Sequence, residues 1–168
     1  MKRIALIALG AAMMATPVVA QTSTMAMAET ASTPAQYVKM AGASDLYERQ
    51  SSQLMLTSTN PKVRSFAQTM IKHHMKSTAD VTAAAARSGL RPGKPMLNAE
   101  QAGMVAKLRA ARGADRDQLY LEQQKMAHEK ALALHSGYAS DGTAAPLKAA
   151  AAKIAPVVQS HIDMLNAM

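Results

Sequence analysis

Over residues 60–89, apolar or small side chains recur at Val63, Phe66, Ala67, Met70, Thr78, Val81 and Ala85. Helical periodicity gathers that spacing onto one face. His74 lies on the centre line of this stripe, four residues after Met70 and four before Thr78. An ionisable ring in the seam of a helix needs a polar partner, because burial without one is unfavourable. The remaining sequence must therefore supply both neighbouring helices and polar groups that reach the same height.

Helix punctuation supplies the neighbours. Thr33-Pro34-Ala35-Gln36 is a compact helix start, with Thr33 as cap, Pro34 at the first helical position and Gln36 completing a capping box. That helix is expected to run to about Ser58, with Tyr37, Met40, Ala41, Ser44, Tyr47, Glu48, Ser51, Leu54 and Met55 inside. Glu48 is seven residues from both Ala41 and Met55, so it shares their face. Asn60-Pro61 repeats the cap-and-proline device, which leaves room for only a short turn between antiparallel neighbours. Gly89 is the expected C-cap of the second helix.

Two prolines and a glycine over residues 90–97 stop helix propagation. Asn98-Ala99-Glu100-Gln101 then restarts a short crossover helix ending near Gly113. A third long helix is expected from about Ala114 to Ser136, with Asp115 and Asp117 at its N-terminus, where carboxylates favour the dipole. Its stripe is Leu121, Gln124, His128, Leu132 and His135, flanked by Tyr120, Ala127, Ala131 and Leu134. Asp141-Gly142 makes the next turn. The last helix, about Ala144 to Ala167, turns Leu147, Ala151, Ile154, Val158, His161 and Leu165 inward, and Pro156 should bend it just before His161. The expected fold is all-α: a four-helix bundle with a short crossover helix between the second and third long helices.

The N-terminus reads differently. Met1-Lys2-Arg3, an apolar run over residues 4–14 and small residues up to Ala20 form a signal peptide, with Val18-Val19-Ala20 as the better cleavage site and Ala26-Met27-Ala28 as the weaker. The run is short of the roughly 20 apolar residues that span a bilayer. The domain plan is therefore a signal peptide over 1–20, a flexible Thr/Ser/Ala-rich leader over 21–33, and the bundle over 34–168. No cysteine occurs, so thiolate metal sites, cysteine nucleophiles, disulfides and lipid attachment at cysteine are excluded. Loss of Lys2 and Arg3 with the signal peptide takes the formal charge from +8 to +6. Seven basic residues fall within 87–116 against only Glu100 and Asp115, a segment that is either a solvated face or a weak contact for anionic envelope components. Nucleic acid is not an expected partner, since aromatic residues are few and no basic–aromatic module occurs.

At 1.5 Å per residue, Glu48, His74 and His128 each lie roughly 20 Å along their helices and His161 roughly 25 Å. One carboxylate and three imidazoles from four helices can then converge, a donor set suited to zinc, iron or copper. Met70 and Met164 share faces with His74 and His161 and keep copper open. His73, Asp117, Tyr120 and His135 are candidates for outer partners of that site or for a polar network, and His135 for either core or ligand. The competing reading has every histidine neutral and hydrogen-bonded, a network that Tyr37, Tyr47, Tyr120 and Asp117 can complete. Catalysis is not expected: no Glu-x-x-His or His-Glu-x-x-His occurs, and no Ser/His/Asp set stands out by spacing.

Tyr37, Ala41 and Glu48 in the first helix, Ala67-Gln68-Thr69-Met70 followed by His74 in the second, Asp117, Tyr120 and His128 in the third, and Pro156 with His161 in the fourth form a recognisable pattern. Over about residues 36–168 it resembles the exported bacterial domain-of-unknown-function family often labelled "predicted outer membrane protein". The resemblance implies a ferritin-like bundle and no established activity. Two positions depart from it. His73 stands where the family usually has aspartate, and Arg116 where it favours phenylalanine. No barrel strand or anchor supports the outer-membrane label, so a soluble periplasmic protein is expected. Its expected role is ligand or metal binding. The alternative is a structural or stress-related envelope protein whose His/Glu network only specifies the fold.

Overall fold

The computed structural model describes residue 31 and residues 33–168. The expected signal peptide, and the leader apart from residues 31 and 33, lie outside the described residues. Among the described residues are five helices and no strand: α1 (Pro34–Met55), α2 (Pro61–Arg87), α3 (Ala99–Ala110), α4 (Gly113–Asp141) and α5 (Ala145–Asn166).

Local chemistry sets the boundaries. Thr33 and Gln36 exchange hydrogen bonds in a capping box, Gln36 N–H to Thr33 Oγ1 at 3.2 Å and Thr33 N–H to Gln36 Oε1 at 3.1 Å. Asn98 and Gln101 do the same at the start of α3, and Asn60 caps α2 by accepting from Lys62 N–H at 3.0 Å. At the end of α2 the cap is Ser88, one residue earlier than expected. Gly89 follows it at φ +74°, a conformation that favours glycine. The amides of Gly89 and Leu90 turn back to the carbonyls of Ala86 and Ala85, closing a Schellman motif whose Leu90 packs on the core.

Two boundaries moved further. α1 stops at Met55 rather than Ser58. α4 runs on to Asp141 instead of stopping at Ser136. The unfavourable helix propensity of Gly137, on the order of 1 kcal/mol, is outweighed by Tyr138, which is buried and stacks on Tyr37 with ring centroids 4.0 Å apart. α5 continues as helix through Pro156.

Side-chain pairs give the relative directions. Tyr37, Tyr47 and Ser52, in order along α1, meet His135, Gln123 and Tyr120, in reverse order along α4. α1 also packs on α2, α4 on α5, and α2 on α5. Late α2 residues such as Val81 share a cluster with Leu147 of early α5, while early Phe66 shares one with Leu165 of late α5. Neighbours in this ring are therefore antiparallel, and α2 and α4 run the same way. The chain must return the length of the molecule between them. α3 makes that return against α1 and α4, burying Val105 and Leu108.

The apolar core is divided in two. One cluster holds Tyr37, Ala41, Val81, Leu134, Leu147 and Ile154; the other holds Met55, Phe66, Met70, Leu108, Tyr120 and Leu165. On each of α1, α2, α4 and α5 a short polar stretch separates them. Asp45, Glu48, His74, Ser77, Gln124, His128 and His161 are all buried there.

Candidate metal centre

The polar layer is built from the ring nitrogens of three histidines on three helices. One ligand atom from each of His74, His128 and His161 lies within 4.8 Å of the other two. Ring centroids are 5.6 Å apart for His74–His128, 5.5 Å for His74–His161 and 5.2 Å for His128–His161.

Each ring is oriented by its other nitrogen. His74 Nδ1 donates to Asp45 Oδ1 at 2.8 Å. The second oxygen of Asp45 accepts from Thr78 Oγ1 at 3.0 Å, which fixes the carboxylate. His74 Nε2 then points into the layer, buried and without a hydrogen-bond partner. His128 Nδ1 donates to the Gln124 carbonyl at 2.9 Å, leaving Nε2 to face His161 Nδ1 at 3.2 Å. The far nitrogen of His161 meets His73 Nδ1 at 2.8 Å, with the two rings stacked at 5.1 Å. Holding one imidazole nitrogen so that the other presents a lone pair is how proteins prepare a metal-binding histidine.

Glu48 stands beside the three rings. Its carboxylate is buried, Oε1 is 3.8 Å from His128 Nδ1, and neither oxygen has a hydrogen-bond partner. It falls outside the set of mutually close ligand atoms. Unpartnered buried oxygens on a carboxylate are unfavourable unless something of opposite charge reaches them.

The rings differ in proton affinity. Burial alone would lower that of His74, but the Asp45 hydrogen bond and the charges of Glu48 and Asp45 outweigh it and raise the pKa. Burial holds His128 below the ordinary histidine value, with Glu48 opposing. His161 is pushed down to about 2 by burial and by its three histidine neighbours. An imidazole kept neutral by its surroundings is a ready ligand for a soft or borderline cation.

The remaining sequence candidates are dispersed. His73 is half-buried against His161. His135, one heptad from His128, is bonded to the Tyr37 hydroxyl at 2.9 Å and does not belong to the cluster of three. Asp117 accepts from Ser58 Oγ at 2.8 Å beside the α1–α2 connection, and Tyr120 shares a 2.8 Å hydrogen bond with Ser52. Met70 is buried in an apolar cluster, whereas Met164 is 39% exposed. Asp45 went unrecognised in the sequence, although it lies four residues after Ala41 and three before Glu48 on the same face.

Fold and site together define an all-helical domain with a buried histidine cluster at its centre. The chain belongs to the family described as Domain of unknown function (DUF4142), which matches residues 19–168. Among solved structures it is similar to the crystal structure of a DUF305 fragment from Deinococcus radiodurans. That likeness has a TM-score of 0.68 at 19% identity and covers 80% of this chain and 93% of that chain. At that identity it shows a shared fold. No curated protein matches the chain.

Proposed function

We propose that this protein is an exported, periplasmic metal-binding protein holding one transition-metal ion at the centre of a ferritin-like four-helix bundle. The antiparallel ring of α1, α2, α5 and α4 with a single crossover through α3 supports the bundle reading. The basic n-region and apolar run of the first residues support export. No helix among the described residues is long and apolar enough to cross a membrane.

The observation that carries the metal reading is the conjunction of His74 Nε2 and the Glu48 carboxylate, buried and unpartnered, beside two further imidazoles. His74 Nε2, His128 Nε2 and His161 Nδ1 are the nitrogen donors; Glu48, outside that mutually close set, supplies a carboxylate only by turning toward the ion. A divalent cation would offset the two buried carboxylates, Asp45 and Glu48, and satisfy the open lone pairs in one step. Three imidazoles and a carboxylate suit zinc, iron or copper. No catalytic step is assigned.

One observation favours the second reading, a polar layer that only specifies the fold. The chain from His73 through His161 and His128 to the Gln124 carbonyl is already hydrogen-bonded. Thermal unfolding of chelator-treated, tag-free protein separates the two. Zinc, copper or iron at about 100 times its dissociation constant should stabilise the fold by about 2.7 kcal/mol. His74→Ala should remove that gain. If none of the three metals shifts the melting temperature of the wild type, the layer is scaffold and the metal reading fails.

A further inference from the structure

A second concave feature lies away from the histidines. One face of early α1, late α2 and the segment 90–96 enclose a cleft of about 640 Å³, within the range of small-molecule sites. Its apolar surface comes from Val38, Val81, Leu90, Pro92, Pro95 and Met96. Gly42 allows the proline segment to come close, since a Cβ there would meet Pro95 Cγ at 3.3 Å. Met96 is 78% exposed, a large flexible apolar side chain with little to cover it.

Charge around the cleft has one sign. Lys39, Arg91 and Lys94 line it, all exposed, and no Asp or Glu does. None of the three makes an ion pair or side-chain hydrogen bond with another described residue. Two lysines elsewhere on the surface are paired, Lys76 with Asp80 and Lys130 with Glu100. No aromatic side chain lines the cleft, so it offers no stacking platform for a nucleobase.

We propose that this cleft binds a single-chain anionic amphiphile, an acyl chain lying on the apolar surface with its carboxylate between Lys39, Arg91 and Lys94. The apolar surface accounts for the chain and the unpaired cations for the headgroup. A bare anion would leave the apolar surface uncovered. The cleft shares Thr78 with the surroundings of the metal centre, but none of the three histidines lines it, and the proposal stands whether or not a metal binds there.

Isothermal titration of the full chain with dodecanoate, below its micelle concentration, tests the proposal. Saturable binding to one site is expected, while acetate and a neutral dodecyl glycoside bind at least tenfold more weakly. Lys39→Gln combined with Lys94→Gln should weaken dodecanoate binding tenfold or more. Ala35→Trp, which fills the cleft from an exposed position, should abolish it with the melting temperature retained. Thr82→Trp on the α2 side serves if that variant does not fold. Absence of saturable dodecanoate binding overturns the proposal, as does equal affinity in the lysine double variant. Association with phosphatidylglycerol vesicles but not with monomeric dodecanoate also overturns it, and assigns the cations to a bilayer surface.

Discussion

His128 and His135 stand one heptad apart on α4, both buried, and the two sites could hardly differ more. His135 sits in the apolar cluster of Tyr37, Leu134 and Leu147. The Tyr37 hydroxyl holds its Nδ1, and Tyr37 is itself stacked on Tyr138. Burial pushes its pKa down to about 4, and no buried polar atom of the ring lacks a partner. His128 faces two more imidazoles and a carboxylate with both oxygens open. Burial and helix face are common to both, so neither separates a structural histidine from a ligand. What separates them is company: His128 has two further imidazole ligand atoms within reach and an unpartnered carboxylate beside it, and His135 has neither.

That contrast can be broken at its structural side first, where the largest effect is expected. His135→Ala removes a packed ring and strands the Tyr37 hydroxyl, which should destabilise the protein by about 3 kcal/mol. The gain from added zinc should be unchanged, whereas His128→Ala should lose it. Thermal melts of both variants with and without zinc decide this, and a zinc effect that disappears in His135→Ala would erase the distinction.

An intermediate effect of opposite sign is expected at Glu48. A buried polar group without a hydrogen-bond partner costs about 1–3 kcal/mol of desolvation, so an apolar side chain of similar size in its place is expected to stabilise the fold. Glu48→Met should therefore melt higher than the wild type without metal and gain less when metal is added. A metal-free variant that melts lower would mean that Glu48 is already paid for by its neighbours.

The smallest effect concerns pH. His135 is depressed in the folded state, so below about 6.5 the unfolded chain takes up a proton that the folded chain does not. Stability should fall by up to about 1.4 kcal/mol per pH unit from 6.5 towards 4 on its account. His74 works the other way. Its raised pKa contributes stability that is present below 6.5 and lost as pH rises through the folded value. Melting curves of wild type and His135→Phe at pH 7 and 5 should show the variant losing less on acidification. Parallel curves would show that His135 is not held neutral by the fold.

Much of this was legible in the sequence because helices announce themselves by period and punctuation. All six inner residues expected on α5 are buried, and the caps at Thr33, Asn60 and Asn98 form as read. α1 was read less well. It packs on α2, α3 and α4 at once, so its buried arc is wider than one stripe. Asp45 and Ser52 turn inward, while Met40, Ser44 and Leu54 are half-exposed. The three histidines converge because each lies in or near the middle third of its helix, where packed helices overlap whichever way they run. The fate of His135 depended on which residue of α1 stands opposite, and periodicity carries no information about that. Asp45 was hidden for the same reason: its role exists only through His74 and Thr78 on α2.

The order in which the chain is threaded also shapes how it comes apart. Residues 56–60 and 142–144 are short links, so α1–α2 and α4–α5 are two helical hairpins joined by the long return through α3. Asp45–His74 closes within the first hairpin and His128–His161 within the second. Tyr37–His135, Tyr47–Gln123, Ser52–Tyr120 and His73–His161 bridge the two. Contacts local in sequence form early and distant ones late, so the bridging hydrogen bonds belong to the docking step. Groups that act after the transition state govern escape from the native state more than arrival at it. The tyrosine hydroxyls along α1 and α4 are thus latches on the lifetime of the folded molecule.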